Sequence, residues 1–407
     1  MIEVPWWKSW RGNDIPPDQV KVKPLRILFS SLATHGHTYP LLPLASAALA
    51  QGHEVVYATG ETFHPPLVEL GLDVVAAGFD LREAFGIASA TLGIEPGRDL
   101  PPEDFLALAG KAFGSVLPKS FVDDLGPIID RLRPDLVIYE AGNPGAGLAA
   151  RAAGRPALSH GFGRVPANAF VDHMRPGLEE IAAGLGITLA DGLFGLGDPF
   201  LDICPPTFQD PDFLATPNRI PLRPVPFAEP GELPAWVREH DRPLVYLTLG
   251  TAFGTIDVLR KAIDGLAPLE VRVFVSVGPP MDVSELGDVP DNVTVRSWVP
   301  QADLLPFTDL VVHHGGSGTT LGSLSAGVPQ LILPQGADQF SNAEAVVGLG
   351  AGEQLLGDDA NGDVIATRAK HLLGDETAHK ASRALAAEIA AMPSPEDVAR
   401  QLPEFVR

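Results

Sequence analysis

A chain of 407 residues exceeds what one ordinary core organises, so two domains of roughly 180–200 residues each are expected. With 45% hydrophobic and 20% charged residues, no run of about 18 uninterrupted apolar residues and no signal-peptide pattern at its start, it reads as a globular, cytoplasmic protein without membrane insertion. Its 29 basic and 51 acidic residues leave a net charge of −22, which repels nucleic acid, and its single cysteine, Cys204, excludes an internal disulfide and a multi-thiolate metal site.

Residues 1–24 form an extension in which Trp6, Trp7 and Trp10 are available to cap apolar surface. The first regular segment is LRILFSS (Leu25–Ser31), apolar and rich in strand formers. The loop LATHGHTY follows, then PLLPLASAALAQG, which has helical spacing, Pro40 in its first turn and Gly52 as a stop. HEVVYAT is the next strand. Strand, crossover helix and strand within about 30 residues predict a parallel sheet with right-handed connections. The unit recurs at PDLVIYE (Pro134–Glu140) and the helical GAGLAARAAG. Between Asp80 and Arg133 the alternation weakens into a helical segment broken by Gly and Pro, read as a variable pocket wall.

A Pro-rich stretch, Arg219–Trp236, fits an extended connector better than a core element, so a linker is placed at 219–242 between domains at 25–218 and 243–391. The second domain brings PLVYLTLG, VRVFVSVG, NVTVRSWV, DLVVHH and PQLILP, each nearly continuous in Val, Ile and Leu, as expected where helices cover both faces of a sheet. Two facing, doubly wound α/β domains follow. Residues 392–407 form a last helix that is expected to return to the first domain.

Ligands bind at the carboxyl ends of strands in such sheets, and HHGGSGTT (His313–Thr320) lies at one of them, opening a helix. Free N–H groups and the positive helix end meet there, so a phosphorylated ligand is admitted despite the acidic chain. Gly315, Gly316 and Gly318 allow close backbone approach, and Ser317, Thr319 and Thr320 can donate hydroxyl hydrogen bonds. One such loop is also simply a tight strand-to-helix turn. No Walker lysine follows and no dinucleotide fingerprint is present, but a second Gly/Thr loop, TLGTAFGT (Thr248–Thr255), ends another strand of the same domain. Two loops suit the two phosphates of one pyrophosphate.

WVPQADLL (298–305), HHGGSGTTLGSLSAGVP (313–329) and GADQ (336–339) together resemble the nucleotide-sugar signature of the family 1 GT-B glycosyltransferases, in particular the bacterial, actinomycete-type enzymes that tailor antibiotics and other natural products. The resemblance covers nearly the whole chain after Leu25. It implies the GT-B fold, two facing Rossmann-like domains with a cleft between them. It implies further that Trp298 stacks on the base, Gln301 lies near the ribose, and His314, Gly318 and Thr319 hold the phosphates with a contact from Thr251. By the same resemblance Asp338 and Gln339 are expected to grip the sugar hydroxyls, and Val299, Gly316 and Ser317 to complete the nucleotide-sugar site. Plant members with uridine donors carry a ribose-binding glutamate four residues after the position of Gly318; here that position is Gly322, which favours a dTDP-sugar over a UDP-sugar.

Inverting members use a histidine at the end of the first strand as general base, a role that suits its pKa. The Gly-His-x-x-Pro spacing places it at His37, with His35 as second candidate; either histidine can also serve as a helix cap. Where the family orients that base with an aspartate, ungapped alignment puts Glu140, whose extra methylene leaves the pairing open. The sequence DPD (Asp210–Asp212) matches the DxD of metal-dependent enzymes but lies in a Pro-rich loop, so no metal and no cofactor beyond the sugar donor are expected. The resemblance thus implies inverting, metal-independent transfer of a sugar to a hydroxyl of a lipophilic small molecule. A nucleotide-sugar epimerase or hydrolase, or a catalytically silent auxiliary, stays open as an alternative, as does a homodimer.

Overall fold

In a computed structural model the described residues are 23–95, 100–165, 168–190, 196–227, 231–250, 255–278 and 282–406. Thr251 and the three tryptophans of the extension lie outside them. The first sheet holds β1 (Arg26–Ser30), β2 (Glu54–Thr59), β3 (Asp73–Ala76), β4 (Leu136–Glu140), β5 (Ala157–His160), β6 (Phe200–Asp202) and β7 (Arg219–Pro221) in the order β3-β2-β1-β4-β5-β6-β7. The second holds β8 (Leu244–Thr248), β9 (Arg272–Ser276), β10 (Val293–Arg296), β11 (Leu310–His313), β12 (Gln330–Ile332) and β13 (Gly352–Gln354) in the order β10-β9-β8-β11-β12-β13. Every pairing in both is parallel. Both orders reverse beside their first strand, between β1 and β4 and between β8 and β11. An open parallel sheet leaves its ligand crevice at that reversal.

The strands are apolar without alternation because both faces are covered. Ile27 and Phe29 join one buried cluster while Leu28, between them, joins another. The first of these clusters is continuous across both lobes, running from Ile27, Leu41 and Leu44 through Val398 and Leu402 to Leu324 and Ile332. The chain's end makes that bridge. A helix at Pro395–Gln401 starts on a reciprocal cap between Ser394 and Asp397 and packs on the Leu42–Ala50 helix of the first lobe, with a 3-10 turn at Leu402–Val406 behind it.

One boundary moves. Arg219–Pro221, assigned above to the linker, pair with β6 as the sheet's edge strand, and Arg219 Nη1 reaches buried Asp202 at 3.1 Å. A proline is tolerated there because an edge strand need not donate on its outer side.

The segment between Asp80 and Arg133 forms helices at Leu81–Leu92, Pro102–Lys111 and Leu117–Leu132, the last two joined through a π turn at Ala112–Val116. The joined run, 103–132, is long and apolar enough by composition to cross a membrane, but 56% of its most apolar window is buried inside the lobe, as in a core helix. The Asn168–Gly184 helix crosses the π turn backbone to backbone. A Cβ on Gly114 would lie 2.6 Å from the Met174 Cα, so only glycine permits the approach. Phe113 at that crossing stacks edge-on with Phe85 and Phe170, at 5.9 and 5.8 Å, and makes this wall aromatic.

Candidate active site

β1 ends at Ser30, and the loop after it is held by buried hydroxyls. Thr38 Oγ1 donates to the Leu32 carbonyl at 2.9 Å, and Tyr57 OH donates to Ser31 Oγ at 3.1 Å. The four-residue helix His35–Thr38 therefore has a fixed pose, and its two histidines part company. His35 packs among Tyr39, Phe63 and Trp298, with ring centroids 5.0, 5.0 and 5.3 Å away. His37 turns to β4, where its Nδ1 lies 3.0 Å from Glu140 Oε1. The longer carboxylate does reach. Glu140 is fully buried, and its Oε1 also accepts the Gly142 N–H.

Glycine at 142 was not singled out from the sequence. A Cβ there would stand 2.7 Å from Glu140 Oε1 and 3.2 Å from the His37 ring, so the pair exists only because that position has no side chain. The strongest single influence on His37 is burial, which lowers its pKa, but Glu140 and then Asp338 outweigh it and leave the pKa raised above 6.5. Nδ1 faces the carboxylate, so Nε2 is the nitrogen left to accept a proton.

Across the cleft, β11 delivers two adjacent histidines to opposite sides, as strand geometry requires. His313 is structural: its ring bonds Gln330 Oε1 at 2.8 Å and accepts from the Gly315 N–H at 3.0 Å, and burial pushes its pKa down to about 3. His314 sits in a slot between two glycines. A Cβ on Gly250 would lie 2.5 Å from its ring, and one on Gly316 would also overlap it. Burial lowers its pKa to about 4 against the opposing pull of Asp338 and the Thr248 carbonyl, which leaves an uncharged imidazole at neutral pH.

The Ser317–Ala326 helix opens here with Gly316 as its cap. Its first N–H groups have no intrahelical acceptor, and a Cβ on Gly318 would meet nothing within 4 Å, so this turn faces open space. The hydroxyls are mostly committed elsewhere. Thr319 Oγ1 donates to Gln301 Oε1 at 3.1 Å, and Ser317 Oγ donates to Asp338 Oδ2 at 2.7 Å. Asp338 also accepts from Asn342 Nδ2 at 3.0 Å, one turn on in the Gln339–Gly348 helix. Asn342, which the sequence did not mark, further donates to the Gly315 carbonyl at 2.9 Å and ties the glycine-rich loop to the acid.

Gln339, expected on the sugar, is buried and spends its Oε1 on its own loop, accepting the N–H groups of Gln335 and Gly336 at 2.7 and 3.0 Å. Trp298 borders the site but leans on His35 of the other lobe, and the Val299 side chain belongs to the core. The first acid of DPD is accounted for by local structure. Asp210 caps the short Pro211–Leu214 helix and pairs with Arg164 at 3.3 Å.

The fold agrees with what the chain resembles. Residues 46–250 match the family described as erythromycin biosynthesis protein CIII-like, N-terminal domain, and residues 260–405 match its C-terminal domain. L-demethylnoviosyl transferase of Streptomyces niveus is 34% identical over 394 residues, covering 93% of this chain and 97% of that protein. Elloramycin glycosyltransferase ElmGT of Streptomyces olivaceus is 31% identical over 405 residues, covering 93% and 97%. Among solved structures, the Streptomyces sp. SF2575 glycosyltransferase SsfS6, complexed with thymidine diphosphate, superposes with a TM-score of 0.78 at 27% identity, covering 93% of this chain and 99% of its own.

Proposed function

The chain belongs to the erythromycin biosynthesis protein CIII-like family and is a natural-product glycosyltransferase that takes its sugar from a nucleotide sugar, and from that premise we propose that it works by inversion, without a metal, on a dTDP-sugar. The observation that carries this reading is the His37–Glu140 pair of one lobe facing the Asp338 network and the open helix end of the other. His37 Nε2 takes the acceptor hydroxyl's proton as that oxygen attacks the anomeric carbon. The bond from that carbon to the diphosphate breaks on the opposite face, and its electron pair leaves on the diphosphate oxygen. The N–H groups of the Ser317–Ala326 helix and neutral His314 stabilise the departing charge. Asp338 holds sugar hydroxyls, and the aromatic wall of Phe85, Phe113 and Phe170 suits a lipophilic acceptor.

The test is turnover of a dTDP-sugar with a lipophilic aglycone, the anomeric configuration being read by NMR. An inverted linkage formed at an undiminished rate in EDTA is expected; retention, or loss of activity restored by Mg²⁺ or Mn²⁺, overturns it.

The donor preference has a local basis. Gly322, whose Cα faces Leu305 and Gln301, offers no side-chain acceptor to a 2′-hydroxyl. The hydroxyl of a uridine donor then loses a partner, at about 1–3 kcal/mol where water does not reach it, and the thymine methyl adds about 0.8 kcal/mol of apolar contact. The two terms together come to about 1.8–3.8 kcal/mol, so thymidine diphosphate should bind roughly 20- to 600-fold tighter than uridine diphosphate in calorimetric titration. Equal affinities, or tighter uridine diphosphate, would sink the preference.

A further inference from the structure

Gly163, in the loop after β5, has no positive φ, so its own backbone does not call for glycine. Ser317 does. A Cβ at 163 would stand 2.5 Å from Ser317 Cβ and nearer still to its Oγ. Ser317 cannot swing aside cheaply, because its hydroxyl donates to Asp338 at 2.7 Å and accepts from Asn342 at 3.1 Å. The loop cannot retreat either. Behind it Arg164 Nε donates to the Phe208 carbonyl at 3.2 Å, and the Val165 N–H donates to Gln209 Oε1 at 3.0 Å. One residue earlier, Phe162 lies on the His37 ring with centroids 4.6 Å apart. A chain of contacts thus runs from the base through Phe162 and Gly163 to Ser317 and Asp338, and Asp338 in turn acts electrostatically on His37.

We propose that the Phe162–Gly163 pair is a positioning element: the close seat of Gly163 on Ser317 sets how near the base-bearing lobe approaches the sugar-holding acid, and Phe162 transmits that setting to His37. Its effect on rate rests on the sugar-transfer reading above; the contact does not. Small errors in such an approach cost rate steeply, because reaction needs the attacking oxygen and the anomeric carbon aligned at near van der Waals distance.

The experiment is a double-mutant cycle of Gly163→Ala and Ser317→Gly. In the wild-type background Gly163→Ala should lower kcat at least about tenfold and leave the dissociation constant of thymidine diphosphate within about twofold. In the Ser317→Gly background, where the colliding atoms are gone, the same change should cost less than about threefold. Phe162→Ala, which lets water reach His37, should move the acidic limb of kcat/KM to higher pH. Equal losses in both backgrounds, an undiminished kcat in Gly163→Ala, failure of Gly163→Ala to fold in either background, or an unmoved limb in Phe162→Ala overturns the proposal. Melting temperatures of the four proteins need no substrate: Gly163→Ala should lower Tm only where Ser317 is present. Absence of sugar transfer by the wild type would therefore refute the functional reading alone, and the contact would stand or fall on the Tm cycle.

Discussion

Replacing His37 with alanine should lower kcat by roughly 10²–10⁴-fold and leave thymidine diphosphate binding nearly unchanged, because positioned proton transfer contributes about that much to a rate. The split follows from where the residue stands. His37 belongs to the first lobe and pairs with Glu140, whereas the groups proposed to hold the diphosphate belong to the second. Folding should survive, since the side chain is partly exposed and the loop is held independently by Thr38, Ser31 and Tyr57. His35→Ala is the control. It removes an aromatic packing partner of Trp298, so it should weaken nucleotide binding more than chemistry. A damaging His35→Ala beside a mild His37→Ala, read by single-turnover kinetics, would reverse the assignment.

Glu140→Gln should cost on the order of 10²-fold in kcat, by removing the charge that stabilises the imidazolium. The carboxylate beside Nδ1 keeps the proton there and leaves Nε2 as the acceptor. A glutamine oxygen held by the Gly142 N–H can still accept from Nδ1, but it carries no charge to stabilise the imidazolium as that forms. The pH profile supplies a second, independent sign. A general base must be unprotonated, so activity is present above the His37 pKa and is lost as pH falls through it. Burial alone would lower that pKa, and the charge of Glu140 is the first of the influences that lift it above 6.5. Without the charge the acidic limb of kcat/KM should move to lower pH, with a reduced plateau. Glu140→Asp, which keeps the charge on a shorter arm, should recover part of the rate. A limb that stays in place in Glu140→Gln would mean that His37 does not sense this carboxylate.

What was legible in the sequence was local. The runs LRILFSS, PLVYLTLG and DLVVHH are strands because contiguous apolar residues have to be covered on both faces, and the Gly/Ser/Thr loop after His314 opens a helix end because only small residues let the backbone turn there. The strands that were not singled out, β3, β5, β6, β7 and β13, have only three or four residues and partly polar sequences such as ALSH and GEQ. So few residues establish no period, and they become strands only because a neighbour offers them a ladder.

The roles inside the site show the same division. The sequence by itself determined that two parallel-sheet lobes would place a histidine loop and a glycine-rich loop at strand ends, since motif, strand and turn are all written in adjacent residues. Which histidine meets which acid was decided by tertiary structure, because His37 and Glu140 come together only when β1 and β4 lie side by side at the sheet's reversal. The same holds for Gly142, whose missing side chain makes room for that pair, for Asn342, which ties the acid to the glycine-rich loop, and for Gly163, which seats one lobe on the other. A glycine kept for its own backbone conformation or turn leaves a mark in the flanking sequence. A glycine kept because a distant side chain occupies its space leaves none, since the atom that would collide with it belongs to a part of the chain that only folding brings near.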